Sequence, residues 1–250
     1  MNIAFFGDSL TTGVPGVSFF QLIRERLQDD NLFNYGKGGD TVISLYHRVR
    51  KLSVEKLDIA FLWIGVNDVL VRVSPGYPLL KLLRRQPWAT HPDAFIRWYE
   101  KLVNLLEKQS SLVLAVPPLF IGEDVDNRWN RQLETLGFRI KDFCRGRNKT
   151  RHVDLRRTFL RKLGDKSVSP HIKKNAAAMV KSALFPFSMK AGSPLESGLH
   201  YTVDGIHLNK NGAELVADCF LDEIGRSSAS ALFVERDGGK ISVEKKHSNP

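Results

Sequence analysis

The segment Leu57-Asp58-Ile59-Ala60-Phe61-Leu62-Trp63-Ile64 is apolar at every position but one. It is far short of the roughly 20 residues a membrane-spanning helix needs. A strand with one wet face alternates polar and apolar side chains. A run without alternation is what a strand covered on both faces requires, as in a parallel sheet flanked by helices. Whatever else the chain does, it must supply helices to both sides of this strand.

The rest of the sequence supplies them. Asn2–Gly7, Leu32–Tyr35, Leu112–Val116 (stopped by Pro117-Pro118) and His152–Leu155 read as further strands. Ser18–Gln28 has helical spacing, with Phe19, Phe20, Ile23 and Leu27 on one side. Val42–Leu52, Pro92–Lys108, Asn127–Cys144 and Lys210–Ile224 also read as helices. Strand and helix alternate along the chain, which implies parallel pairing and a three-layer α/β sandwich built on five strands. The body spans 1–226. Two connections, 69–91 and 156–203, are too long for plain loops. Both follow strands, so both are expected at the carboxyl edge of the sheet. The second contains a predicted helix from Pro170, capped by Ser169, to about Leu184. Residues 227–250 form a separate tail, in which Leu232–Glu244, folded about Asp237-Gly238-Gly239, predicts a β-hairpin.

Composition excludes several classes. Hydrophobic residues make up 42% and charged residues 26%, so the chain is neither disordered nor membrane-embedded in character. Two cysteines, Cys144 and Cys219, do not make a disulfide framework and are expected reduced. No basic and apolar leader precedes the first strand, so a cytoplasmic enzyme is the expectation. The net charge of +10 is concentrated: residues 139–174 hold thirteen Lys/Arg against three Asp, which equals the whole excess. This stretch is either a solvated helix face or a footprint for an anionic partner. It lacks the aromatic interleaving of an RNA-binding surface, so nucleic acid is not expected. No paired Cys/His pattern predicts a metal, and no cofactor is called for.

Four blocks carry chemistry. Gly7-Asp8-Ser9-Leu10 follows the first strand, Asn34-Tyr35-Gly36-Lys37-Gly38-Gly39-Asp40-Thr41 the second, and Gly65-Val66-Asn67-Asp68 the third. Asp204-Gly205-Ile206-His207 precedes the last helix. Each alone has an ordinary explanation, because Gly, Asp, Asn and Ser dominate turns and helix caps. Their joint placement is informative. In a doubly wound sheet these positions converge on one crevice at the carboxyl ends of the strands. There they would bring together a serine hydroxyl, a histidine base, an aspartate able to orient that base from the same loop, and donors for a developing oxyanion. Asp8 and Asp68 are expected to hold their turns through backbone hydrogen bonds rather than act as bases.

In their order, these blocks resemble the signature blocks of the SGNH/GDSL hydrolases over about residues 3–220. The resemblance implies a flavodoxin-like sheet of order 2-1-3-4-5. It implies Ser9 as nucleophile and, through its N–H, oxyanion donor. Gly39 would be a second backbone donor, with Gly38 as the alternative, and Asn67 a side-chain donor. His207 would be base and then acid, oriented by Asp204. Leu208 stands where proline is frequent in the family, and the two long insertions match no compact member. The expected function is therefore hydrolysis of a carboxylic ester of a small molecule or carbohydrate through an acyl-enzyme on Ser9. The alternatives are a carbohydrate deacetylase or acyltransferase using the same residues, and a non-catalytic binding protein on the same fold.

Overall fold

A computed structural model describes residues 1–73, 76–164 and 198–237. Its centre is the continuous apolar strand. β3 (Leu57–Trp63) is buried at every position except Asp58. It lies between β1 (Asn2–Gly7) and β4 (Ser110–Val116), with β2 (Asn31–Gly36) outside β1 and β5 (Thr150–His152) outside β4. All four pairings are parallel and the order is 2-1-3-4-5. The register sets Gly7 level with Gly36 on one side and with Trp63 on the other. The carboxyl ends of the first three strands, and the blocks that follow them, therefore sit side by side.

Helices cover both faces. On one, α2 (Phe19–Arg26) packs against the long last helix α9 (Lys210–Asp237). Phe220 of α9 lies 4.5 Å, ring to ring, from Phe61 and 5.3 Å from Phe19, while Phe5 stacks on Phe61 at 4.8 Å. On the other face, α6 (Pro92–Gln109) packs between α3 (Val42–Val49) and α7 (Arg128–Cys144). Local chemistry sets the helix starts. Thr41 caps α3 and closes a capping box with Ser44, and Asn127 caps α7 through the N–H groups of Trp129 and Asn130.

The structure adds short helices and shifts the fifth strand. α1 (Ser9–Thr12) starts on the serine itself, α4 (Val66–Leu70) contains Asn67, and α5 (Tyr77–Leu83) occupies the 69–91 insertion. The fifth strand ends at His152 rather than Leu155, because Asp154 caps a further helix, α8 (Leu155–Leu163). The helix predicted from Pro170 to Leu184 lies outside the described residues.

The C-terminal hairpin is a correction. Leu232 to Asp237 continues α9, which leaves no first strand for a hairpin. Leu232-Phe233-Val234 is a short apolar run that fits either period, and no Gly or Pro stands between Arg226 and Asp237 to stop the helix. Gly238-Gly239 and the second predicted strand lie outside the described residues.

Several basic side chains among the described residues of the 139–174 stretch are engaged within the fold. Arg139 pairs with Asp93, Arg145 with Asp142, Arg147 with Glu107 and Arg151 with Glu223. Arg156 donates to the Leu119 carbonyl. These side chains belong to α7, β5, α8 and the turns between them.

Candidate active site

Ser9 is held by its neighbours. Gly7 ends β1 so tightly that a Cβ there would lie 2.1 Å from Thr11 Oγ1 and 2.4 Å from the Trp63 carbonyl. Asp8 is the N-cap of α1, its Oδ1 accepting from the Leu10 N–H at 3.0 Å. Ser9 is thereby the first residue of a helical turn that ends on Gly13 in the left-handed region (φ 74°). At that position its own N–H falls outside the helix's hydrogen-bond ladder.

The histidine arrives from the opposite end of the chain. Thr202 and Leu208 bridge antiparallel, and Val203 N–H donates to the His207 carbonyl at 2.8 Å, which closes a tight loop. Gly205, at φ +91°, turns it. Leu208 takes part in that bridge and gives its carbonyl to the Val17 N–H at 2.8 Å. Asp204 Oδ1 accepts from the N–H groups of Ile206 (3.0 Å) and His207 (2.8 Å). Its Oδ2 lies 2.7 Å from His207 Nδ1, and His207 Nε2 lies 2.9 Å from Ser9 Oγ. Carboxylate, imidazole and hydroxyl form one continuous chain, with Ser9 and the His207 side chain only 9% and 13% exposed. Burial acts to raise Asp204, yet the His207 charge and the hydrogen bonds from His207 and Ile206 hold it below the ordinary carboxylate range. Burial acts to lower His207, but the charge and hydrogen bond of Asp204, with the charge of Asp8, hold it above 6.5.

The second and third blocks lie next to this chain through a buried polar network. Asn67 Nδ2 donates to Asp8 Oδ2 at 3.1 Å, and Asn67 Oδ1 accepts from the Tyr77 hydroxyl at 2.7 Å. Gly39 turns its loop at φ +78°. Its carbonyl accepts from Lys81 Nζ, and the Gly38 carbonyl accepts from Gln86 Nε2 at 3.1 Å. Asp40 holds Arg48 and Ser44 instead of facing the serine. Asp68 does bond to backbone, but not to its own turn. It accepts from Val42 N–H at 3.0 Å and Ala89 N–H at 2.9 Å, tying α3 to the end of the insertion. Burial pushes Asp8 up to about 7, against the Leu10 N–H, His207 and Lys81. It pushes Asp68 up to about 6, against the two N–H groups and Lys81.

Sequence reasoning missed three participants. Lys81 and Gln86 come from the insertion. Glu123, fully buried, accepts from the N–H groups of His200, Tyr201 and Thr202 and from the Thr202 hydroxyl. It anchors the strand of chain that leads into Asp204.

The family model of GDSL-like lipases/acylhydrolases matches residues 5–215. The chain belongs to the GDSL-like lipase/acylhydrolase family. Membership makes it a hydrolase acting on esters. Among solved structures, a GDSL-family lipolytic protein from Veillonella parvula is similar at 17% identity and TM-score 0.60, covering 89% of this chain and 97% of its own. An acetylxylan esterase from Geobacillus stearothermophilus is similar at 20% identity and TM-score 0.60, covering 90% of this chain and 94% of its own. A second acetyl xylan esterase, AlAXEase, is similar at 23% and TM-score 0.60, covering 90% and 100%. At these identities the likeness is one of fold, and it extends over nearly the whole GDSL body. No curated protein sequence matches the chain. Among the described residues no helix is long and apolar enough to cross a membrane.

Proposed function

We propose that this GDSL-family chain hydrolyses carboxylic esters through an acyl-enzyme on Ser9, with His207 as base and acid and Asp204 as its orienting partner. The observation that carries the reading is the continuous contact from Asp204 Oδ2 through the imidazole to Ser9 Oγ. Ser9 Oγ attacks the ester carbonyl as its proton passes to His207 Nε2. Asp204 stabilises the imidazolium at Nδ1. The carbonyl oxygen becomes an oxyanion, which the N–H groups of Ser9 and Gly39 and the amide of Asn67 receive. Collapse expels the alcohol, protonated by His207, and leaves the acyl group on Ser9. Water, activated by the same imidazole, then adds to the acyl-enzyme and releases the acid.

A carbohydrate acetyl ester is the favoured substrate. Two of the similar structures are acetylxylan esterases. Catalytic mutants of the Geobacillus stearothermophilus enzyme replace a serine, an aspartate and a histidine. In that enzyme the aspartate precedes the histidine by three positions, the spacing of Asp204 and His207. The test compares wild type with Ser9→Ala on aryl esters of increasing acyl length and on acetylated xylo-oligosaccharides. Turnover confined to wild type and fastest on acetyl groups is expected. Equal turnover by both proteins rules out Ser9 as the nucleophile.

A further inference from the structure

The 69–91 insertion sends two buried side chains beneath the loop that carries Gly39. Lys81, on α5, is 1% exposed and Gln86, just after it, 3%. Gln86 Nε2 donates to the Gly38 carbonyl. That carbonyl and the Gly39 N–H belong to one peptide unit, and in a trans peptide the two bonds point in opposite directions. Anchoring the carbonyl on Gln86 therefore aims the Gly39 N–H away from the insertion. Lys81 Nζ donates to the Gly39 carbonyl, so the next peptide is held as well. The fit is close: a Cβ on Gly39 would lie 2.9 Å from Gln86 Oε1 and 3.1 Å from Lys81 Nζ.

Lys81 also settles the orientation of Asn67. Its Nζ is 3.4 Å from Asn67 Oδ1. An ammonium group has donors and no acceptor, so the side of the amide that faces it must be the oxygen. The Asn67 NH2 then lies on the side of Asp8, the residue that caps the serine's helix. Gln86 thus aims the Gly39 N–H, and Lys81 holds the peptide that follows it and, with the Tyr77 hydroxyl, the Asn67 oxygen, so that together they fix the two groups, besides the Ser9 N–H, that the proposed oxyanion hole needs.

We propose that Lys81, assisted by Gln86, is a positioning residue for the reaction, clamping the Gly39 loop and the Asn67 amide in the geometry that receives the oxyanion. The proposal rests on the reading of Ser9 as nucleophile. It makes the insertion part of the active machinery and not a decoration of the sheet edge.

The clamp carries its own pH dependence. Lys81 faces Asp8 after β1, Asp40 after β2, Asp68 on α4, the Tyr77 ring at 4.8 Å, and Arg84 at the C-cap of its own helix. Burial, the largest influence, pushes its ammonium down to about 8, against the three carboxylates. Above that pH the neutral amine loses both the charge and the donor-only character that orient its partners. Its stability contribution runs the other way. Between about 8 and the ordinary 10.5 the unfolded chain binds this proton and the folded chain does not, so stability from this group rises with pH. Activity that falls in this range without a parallel loss of fold marks the clamp.

The test uses p-nitrophenyl acetate hydrolysis from pH 6 to 10, with melting followed on the same samples, for wild type, Ser9→Ala, Lys81→Met and Gln86→Met. Wild-type kcat is expected to fall above about pH 8. Lys81→Met is expected to lose roughly 10- to 100-fold in kcat with KM within about twofold, and to show no further fall across that range. Gln86→Met should lose less and keep the alkaline fall. A wild-type kcat that stays level to pH 10 overturns the proposal, as does a Lys81→Met variant with wild-type kcat or with the alkaline fall intact. If Lys81→Met does not fold, the wild-type profile and Gln86→Met decide, and wild-type kcat in Gln86→Met overturns the clamp. Ser9→Ala separates the two readings. Undiminished hydrolysis removes nucleophile and clamp together, whereas an inactive Ser9→Ala beside a fully active Lys81→Met removes the clamp alone.

Discussion

Asp204 holds His207 twice, once at the ring through Nδ1 and once at the backbone through the His207 N–H. One carboxylate therefore sets both the position of the loop and the tautomer of the imidazole. With Nδ1 donating to Asp204, the Nε2 lone pair is left facing Ser9 Oγ, as a base requires.

The acid limb of activity follows from this pair. In the proposed mechanism neutral imidazole is the working form, and Asp204 raises the His207 pKa above 6.5, so kcat/KM should fall with acid at a midpoint above that value. Asp204→Asn should shift the midpoint down and lower kcat by roughly 10²- to 10⁴-fold, because the amide no longer fixes the tautomer. A pH-rate profile of both proteins checks it.

Asp8 and Asp68 predict the pH dependence of stability. Both are raised above 3.8, mainly by burial, to about 7 and about 6. As pH rises from about 4 through these values, the unfolded chain gives up protons that the folded chain retains. Stability from these two groups is thus full below about 4 and lost by about 7. Urea denaturation of Asp68→Asn should show a weaker dependence across this range. The variant should also be less stable at pH 5 by about 1–3 kcal/mol, because Asn offers one acceptor oxygen where Asp68 uses two.

Glu123 should matter for fold and activity together. Glu123→Ala leaves buried N–H groups of Tyr201 and Thr202 without their acceptor. A cost of at least about 3 kcal/mol is expected, or roughly 6–12 °C in Tm for a chain of this size. Residual activity measured well below the new Tm should still be reduced, since residues 200–202 lead directly into Asp204. Calorimetry with assays at 15 °C tests both parts.

Gly7→Ala is expected to fold poorly or not at all. Its Cβ would meet the Trp63 carbonyl at 2.4 Å, and that backbone belongs to the central strand and cannot give way. Expression yield and melting beside Gly38→Ala, whose Cβ would meet nothing within 4 Å, is the comparison.

The sheet and the four blocks were legible because strands covered on both faces leave a strong pattern, and because strand ends, by parallel geometry, share an edge. The short helix α1 was not, since four residues carry no period. α8 had a readable signal: Leu155, Phe159 and Leu163 recur every fourth residue behind Asp154 as cap, but the alternation of Val153 and Leu155 about Asp154 mimics a strand. α5 inverts the usual rule. Leu79, Leu82 and Leu83 are 61–73% exposed while Lys81 is buried. An amphipathic pattern would turn that helix the wrong way, with the leucines inward and Lys81 outward, so no sequence pattern signals that Lys81 reaches the loop of Gly39. Glu123 sits alone in an irregular loop and has no pattern at all.

Sheet order and chain order disagree in one respect that bears on biosynthesis. β1 is laid down first and becomes a central strand, yet its serine faces a base 198 positions downstream. A ribosome can release most of the sheet while the hydroxyl is still chemically silent. Ser9 Oγ gains its imidazole contact from the Asp204–His207 loop, which leads into α9, whose Phe220 lodges among Phe5, Phe19 and Phe61. If Ser9 is the nucleophile proposed above, hydrolysis reports the docking of the Asp204–His207 loop and not the presence of the sheet, and a nascent chain that has not yet reached His207 has no base for attack on an ester.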